Sequence, residues 1–279
     1  NRLTWFLERN NLINTNQSAY RKNRSTLDHL IRLQDSINKS INNKSLTIGI
    51  FFDFSKAFDM LWREGLLHKI HQLGINGHMY TWIKDFLNNR TFRVKINDTY
   101  SDLFDLQNGT PQGSVISPIL FLIMINNFPS TEIGTSTSLF ADDSAIWRSG
   151  KKLESTTKIL QKDVQKIEQW CENWGFRLNE QKTVGIICTK NNRDLHKQLQ
   201  IKINSKLIKT ATTVKFLGMT FDQKLTWKDH IKKVTESCTR KINLLRSLSG
   251  YKWGASKTTL LRIYRTLIRP KLEYGIEIL

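Results

Sequence analysis

Cysteine is scarce. Cys171, Cys188 and Cys238 are the only three in 279 residues, they form no CxxC pair, and no histidine lies at ligand spacing from them. That pattern excludes a disulfide framework and argues against a zinc site. It predicts buried structural thiols in a reduced, intracellular protein. Long apolar runs are missing too: the longest, Ile119 to Ile125, is too short to span a bilayer. The first residues are polar and charged, which does not suit a signal peptide. No internal repeat or low-complexity linker breaks the chain. Acid is also in short supply, with 24 Asp and Glu against 43 Lys and Arg, a formal charge of +19. So cationic a surface calls for a polyanionic partner, either nucleic acid or an anionic membrane. The hydrophobic fraction of 39% lies well above that of disordered chains. The length allows one large domain or two small ones.

The charge is unevenly placed. Residues 1–181 hold 22 basic and 18 acidic side chains, and residues 182–279 hold 21 and 6. Carboxylates therefore come early and most of the excess cation comes late. This fits a catalytic region followed by a module that grips phosphates; a solvated basic surface is the plainer alternative. The chain starts at Asn1 without a methionine and stops at Leu279 inside an apolar pattern, as a piece of a longer polypeptide is expected to do.

Periodicity predicts a helix from Ser25, at the head of a capping box with Asp28, to about Asn42. Leu46 to Phe52 reads as a buried strand ending at Asp53. Helices follow at about 56–73 and 79–88, then a hairpin over 91–107 turning at Asn97-Asp98, a loop at 109–114 and a buried helix over 115–127. A second hairpin, 136–140 and 144–147, carries Asp142 and Asp143 at its tip. Leu153 to Trp174 reads as a long amphipathic helix suited to the back of a sheet. Short strands follow at 183–188, about 203–207 and 214–221. Then come a helix capped by Thr226 and a last helix from about Ser256, which Pro270 should kink or restart. The class is α+β, with helices on one side of a small antiparallel sheet.

Three runs carry the chemistry: Phe-Asp-Phe-Ser-Lys-Ala-Phe-Asp at 52–59, Gly-Thr-Pro-Gln-Gly-Ser at 109–114, and Phe-Ala-Asp-Asp at 140–143. Asp53 ends one strand, and Asp142 and Asp143 tip a hairpin 89 residues later (142 − 53 = 89). If those strands are neighbours, ~5 Å apart, their carboxylates can share metal ions. Mg2+ prefers such hard oxygen ligands, completed by substrate phosphates. Two ions ~4 Å apart can activate an attacking hydroxyl and steady a leaving oxygen. An Asp-Asp pair alone is more often plain turn chemistry, and the Gly-rich run alone is as readily a simple loop. In the last helix Arg262, Arg265 and Arg269 recur at i, i+3 and i+7, opposite a stripe of Leu260, Leu261, Ile263, Tyr264, Leu267 and Ile268. Such a helix can pack on a core and present cations to a duplex backbone, or simply show a solvated charged face.

In order and type these runs resemble the palm of a reverse transcriptase of the non-LTR (LINE-type, jockey-like) retrotransposons, over nearly the whole chain. Ser18-Ala-Tyr-Arg-Lys-Asn-Arg-Ser-Thr resembles the fingers motif before the palm. Asn179-Glu-Gln-Lys-Thr resembles a later palm motif, Phe216-Leu-Gly-Met the primer-grip hairpin, and Leu267-Ile-Arg-Pro-Lys-Leu-Glu-Tyr-Gly the end of the thumb-like region. Arg63 stands where many relatives carry histidine. No endonuclease domain, Cys/His knuckle or first fingers motif is recognisable.

The resemblance implies a right-hand polymerase palm, an antiparallel sheet backed by helices. Residues 1–45 are then partial fingers, 46–225 the palm with finger insertions and primer grip, and 226–279 a helical, thumb-like region. It implies Asp53, Asp142, Asp143 and the Phe54 carbonyl as ligands of two Mg2+ ions, which Mn2+ can replace. Lys182 would protonate the departing pyrophosphate, and Arg21 would hold the triphosphate. Phe58 would be the steric gate against a 2′-hydroxyl, and Gln112, Gly113 and Ala141 would line the nucleotide. Phe216, Leu217, Gly218, Arg262, Arg265 and Arg269 would hold nucleic acid. The implied partners are an RNA template, a DNA primer or nicked target DNA, and dNTP, with no membrane. The implied location is the nucleus, after cytoplasmic assembly with RNA. Two rivals remain at this stage: an RNA-copying RNA polymerase, against which Phe58 argues, and a non-catalytic RNA-binding remnant of a truncated element.

Overall fold

A computed structural model of the chain describes residues 2–250 and 253–279. Asn1, the head of the expected fingers segment, and Tyr251 and Lys252, within the expected thumb-like region, lie outside the described residues. Helix α1 (Arg2–Arg9) and helix α2 (Thr26–Asn42) precede strand β1 (Leu46–Phe52), all seven residues of which are buried. The expected capping contact at α2 is present, the Ser25 N–H donating to Asp28 Oδ2 at 2.8 Å. Helices α3 (Arg63–Gln72), α4 (Gly77–Leu87) and α5 (Ser117–Met124) lead to the hairpin of β2 (Thr135–Phe140) and β3 (Asp143–Gly150). Helix α6 (Leu153–Trp174), β4 (Val184–Cys188), β5 (Lys209–Ala211), and the hairpin of β6 (Thr213–Phe216) and β7 (Met219–Asp222) follow. Helices α7 (Lys228–Leu248), α8 (Lys257–Ile263) and α9 (Arg269–Glu273) end the chain.

The main sheet runs β5-β4-β1-β3-β2. Its pairs are antiparallel, except that β5 joins β4 in parallel at one edge. An uninterrupted apolar strand such as Leu-Thr-Ile-Gly-Ile-Phe-Phe must be covered on both faces, and it is. Ile48, Ile50 and Phe52 join Leu160, Val164 and Ile167 of α6 in one core, with α3 and α5. Phe51, Trp147 and Cys188 join Leu30, Leu33 and Ile37 of α2 in another. The expectation of helices on one side is thus corrected: α2 lies on the opposite face from α6. Two hydrogen bonds fix it there, a buried one between His29 Nδ1 and Ser138 Oγ at 2.8 Å and a partly buried one in which Trp147 Nε1 donates to Ser36 Oγ at 3.0 Å. All three cysteines are free and buried.

Three local expectations are also revised. Residues 56–61 are turn, bend and irregular chain, not the first part of a helix, and Lys56 sits at φ 47°. The Lys56 carbonyl takes two turn bonds, from the N–H groups of Asp59 and Met60, and the carbonyls of Phe58 and Leu61 accept from Thr110 and Gly109 across the fold. Helix α7 starts at Lys228, two residues past Thr226, with Trp227 at the cap position; the Thr226 hydroxyl and N–H both turn back to the Asp222 carboxylate, at 3.2 and 3.0 Å. Pro270 does restart the last helix, but through a π-helical turn at Tyr264–Ile268. Proline has no N–H for the Thr266 carbonyl and its ring crowds that position, so the preceding turn widens, and Arg269 N–H bonds the Tyr264 carbonyl.

Lys69 of α3 ties three helices together from a buried position. Its ammonium donates to the Met124 carbonyl and to Asn127 Oδ1 (2.6 Å) past the end of α5, and lies 3.4 Å from the Trp174 ring centre of α6. The two acceptors and the aromatic face favour the charged form, but burial prevails and lowers its pKa to about 7. The unfolded chain, with an ordinary lysine, binds more protons between that value and ~10.4, so this group adds stability as pH rises across the window. Wild-type protein should therefore gain on Lys69→Met by up to a few kcal/mol between about pH 7 and 10, read as the difference of their urea midpoints. A constant difference across the window would refute the assignment.

Candidate active site

The pairing of β1 with β3 joins residues whose numbers sum to 196, from Leu46↔Gly150 to Phe52↔Ser144. One step further sets Asp53 opposite Asp143. The β2–β3 hairpin closes at Phe140↔Asp143, which leaves Ala141 and Asp142 as its two turn residues. Three carboxylates thus meet at one end of the sheet. Partial burial raises the Asp143 pKa; Asp142 and Asp53 raise it further, and Lys215 opposes them. Asp53 is fixed from behind: its N–H donates to Thr183 Oγ1 at 3.2 Å and its carbonyl accepts from Asn179 at 2.8 Å.

Phe54 pairs with Leu178, but the hydrogen bonds of that bridge come from Asp53, Ser55, Arg177 and Asn179. This bonding pattern turns the Phe54 carbonyl away from residue 178. Its ring packs toward Trp170 and Phe176. A cavity of about 350 Å3 beside the carboxylates is lined by Asp53, Asp143, Lys182, Lys209 and Lys215. Lys182 therefore lines the same cavity as Asp53 and Asp143. Among the described residues no three His, Cys, Asp or Glu side chains already form a metal cage. The set still fits Mg2+, which is usually held by one or two carboxylates plus substrate phosphates. The mutual repulsion at Asp143 is what a cation would relieve.

Phe58 stacks on Phe121, ring centres 4.3 Å apart, so it is anchored to the core from below. The Gly-rich loop docks beside it. Gly109 has φ +83°, and a Cβ there would come within 2.7 Å of the Asp59 carbonyl oxygen. The Gly109 carbonyl accepts from Arg63 at 3.0 Å and from Arg90 at 3.2 Å. Arg63, noted in the sequence only as a departure from the family pattern, is thus buried as the loop's anchor. Gln112 is exposed and donates to Asp59 Oδ1 at 2.7 Å; Gly113 is exposed at φ +87°.

The family described as "Reverse transcriptase (RNA-dependent DNA polymerase)" matches residues 1–221. The chain belongs to the reverse transcriptase family. It is 29% identical over 269 residues to "RNA-directed DNA polymerase from mobile element jockey" of Drosophila melanogaster, covering 94% of this chain and 29% of that one. It is 26% identical to "Probable RNA-directed DNA polymerase from transposon BS" of the same fly, covering 100% and 31%. The chain thus spans about three tenths of these relatives. In fold it is similar to the apo telomerase of Candida tropicalis, with TM-score 0.54, 13% identity, and coverage of 99% of this chain and 48% of that one. That likeness establishes the right-hand polymerase fold. No helix among the described residues is long and apolar enough to cross a membrane.

In this reverse transcriptase domain Arg21 is not an open phosphate ligand. It is paired with Glu8 through two bonds of 2.8 Å and donates to the carbonyls of Asn14 and Gln17. That bidentate pair makes it the organiser of its loop; holding a triphosphate requires its release from Glu8. The neighbouring Tyr20, exposed at φ 56°, lies near enough to Asp142 for that charge to raise its phenol pKa, after burial. The run at 18–26 contains it, but no role of its own was legible there. Gln17 was also missed. Its side-chain oxygen accepts from Ala141 N–H at 3.1 Å and from Ala19 N–H at 2.8 Å. Its buried Nε2 has no partner, a cost of ~1–3 kcal/mol.

The hairpin expected to be the primer grip turns at Leu217 (φ 44°) and Gly218 (φ 86°). The Phe216 side chain faces inward onto Phe51, 5.0 Å between centres, and Leu217 is buried too, so the turn presents mainly backbone. Tyr274 Oη donates to the Leu217 carbonyl at 2.5 Å. Arg262 and Arg265 are exposed, but Arg269 is paired with Glu273 at 2.6 Å. The π-helical turn breaks the 100° spacing assumed for the three, and of the opposing stripe Ile268 is buried while Leu261, Tyr264 and Leu267 are exposed. Gly109→Ala should cost more than about 1 kcal/mol through its positive φ and the Asp59 contact, measured by chemical denaturation. A neutral effect would mean the loop is free to move off Asp59.

Proposed function

We propose that this chain is the palm, with partial fingers and a thumb-like region, of a non-LTR retrotransposon's RNA-directed DNA polymerase. The observation that carries the reading is the strand register that sets Asp53 against the Asp142–Asp143 turn, with a cavity of about 350 Å3 beside it to which Lys182, Lys209 and Lys215 contribute. The substrates are dNTP, an RNA template and a DNA primer end, which in the full element is a nick in target DNA.

Divalent ions, two Mg2+ or Mn2+, supply Lewis-acid stabilisation of the reacting oxygens when bound. Asp53 and Asp142 hold that charge, with Asp143 in support and the Phe54 carbonyl as a further oxygen donor. Lys182 stands where a proton can be passed to the leaving pyrophosphate. Phe58, braced by Phe121, sets the floor under the sugar and excludes a 2′-hydroxyl. Ala141, Gln112 and Gly113 line the nucleotide. The Phe216–Gly218 turn and the cations of Arg262 and Arg265 hold the duplex by its backbone, which needs no sequence reading. Phosphoryl transfer asks mainly for alignment and charge neutralisation, and this inventory provides both. Nuclear action follows from the need for chromosomal DNA, with RNA assembly in the cytoplasm.

Primer extension on poly(rA)–oligo(dT) with dTTP and Mg2+ tests the reading. Asp142→Asn should lower extension by more than about a hundredfold with duplex affinity retained. Duplex binding without extension, also when the region N-terminal to Asn1 is supplied from a relative, would favour an RNA-binding remnant instead.

The steric role of Phe58 has its own test. Phe58→Val should raise ribonucleotide use relative to deoxynucleotide use by about tenfold or more, since removing the ring opens space at C2′. An unchanged ratio would leave Phe58 as a core aromatic.

A further inference from the structure

We propose that Gln17 is a positioning residue for the catalytic turn, its side-chain oxygen holding the Ala141 amide so that Asp142 stands in line with Asp53. This inference rests on the polymerase reading of the site. It begins from strain. Ala141 occupies the first central position of a two-residue hairpin turn at φ 54°, a conformation that glycine adopts freely and alanine does not. It is also buried, so water cannot serve its N–H. The Gln17 oxygen does so instead, at 3.1 Å, from 124 residues away in sequence.

The same oxygen accepts from Ala19 N–H at 2.8 Å. Both partners are donors, which fixes the orientation of the amide: the oxygen must face them and the nitrogen must not. That nitrogen is buried without an acceptor. A methionine would fill the same space without an orphaned donor. The residue is therefore explained by its oxygen and not by its packing.

The backbone of Gln17 is itself held to the hairpin. Leu139 N–H donates to the Asn16 carbonyl at 3.0 Å and Ser18 N–H to the Leu139 carbonyl at 3.1 Å, so residues 16–18 lie along β2 as a short parallel extension. The Gln17 carbonyl accepts from Arg21 at 3.0 Å, and Arg21 is held by Glu8. One bonded path thus links the loop that carries Tyr20 and Arg21 to the turn that carries Asp142. Displacement of the loop by a ligand reaches the turn through Gln17.

The test compares wild type with Gln17→Met, Ala141→Gly and the double variant. In primer extension Gln17→Met should lower kcat about tenfold while the KM for dTTP and the Kd for primer–template stay within about twofold, since one aligning bond is lost and no substrate contact. Mn2+ affinity, followed by water-proton relaxation without nucleotide, should weaken about fivefold or more. Glycine carries no strain at this turn, so in the Ala141→Gly background the Gln17→Met penalty should shrink to about twofold, a coupling that independent sites do not show. Equal kcat and Mn2+ affinity for wild type and Gln17→Met, or strictly additive effects in the double variant, would overturn the proposal and leave Gln17 as a stability residue. Should wild type fail to extend a primer even with the region N-terminal to Asn1 supplied, the polymerase reading fails on its own account. The Mn2+ titration and its double-variant coupling still decide the role of Gln17.

Discussion

The site depends on one register, that of β1 against β3. Side chains on a strand alternate between faces, so a slip of one residue would send Asp53 to the opposite face and exchange the side chains that β1 fits into its two cores. The slip is prevented by burial on both faces. Ile48, Ile50 and Phe52 are keyed into the core under α6, and Phe51 into the core under α2. Two hydrophobic cores therefore hold a charged constellation that repels itself. The Asp143 carboxylate adds no stability where it stands, as its raised proton affinity indicates.

Around that register the loops are fixed by donors and acceptors drawn from far away. Arg63 and Arg90 hold Gly109, Gln17 holds Ala141, and Asn179 and Thr183 hold Asp53. Each is a bond to backbone, which orders a loop without occupying the side chains that must meet substrate. Arg21 is the exception, a candidate ligand whose charge is already engaged by Glu8.

Much of this was legible in the sequence, and for physical reasons. The stripe Leu160, Val164, Ile167 and Cys171 marks α6 because burial imposes a period, and Leu46 to Phe52 marks β1 because double burial removes one. The carboxylates were legible because turn residues flanked by apolar strands admit few placements. What failed was local reading where distant atoms decide. Residues 56–61 looked helical, yet the carbonyls of Phe58 and Leu61 accept bonds from the Gly109 loop. Thr226 looked like a cap, yet Asp222 had claimed its hydroxyl. The three arginines of the last helix looked aligned until Pro270 widened the turn before it. Gln17 gave no signal beyond its place just ahead of the run at 18–26, since its partner lies across the fold.

The two sides of the constellation differ in how they are tethered. Asp53 is continuous with the central strand, paired on both edges and covered on both faces. Asp142 sits on a two-residue turn held by one side-chain oxygen. Segments with few bonds open at far lower free energy than the element that defines the global transition. On warming, the turn is therefore expected to fray while β1 is still closed, so that competence disappears below the temperature at which the sheet melts. Inactivation of such a domain reports the opening of a hairpin tip rather than the unfolding of the protein.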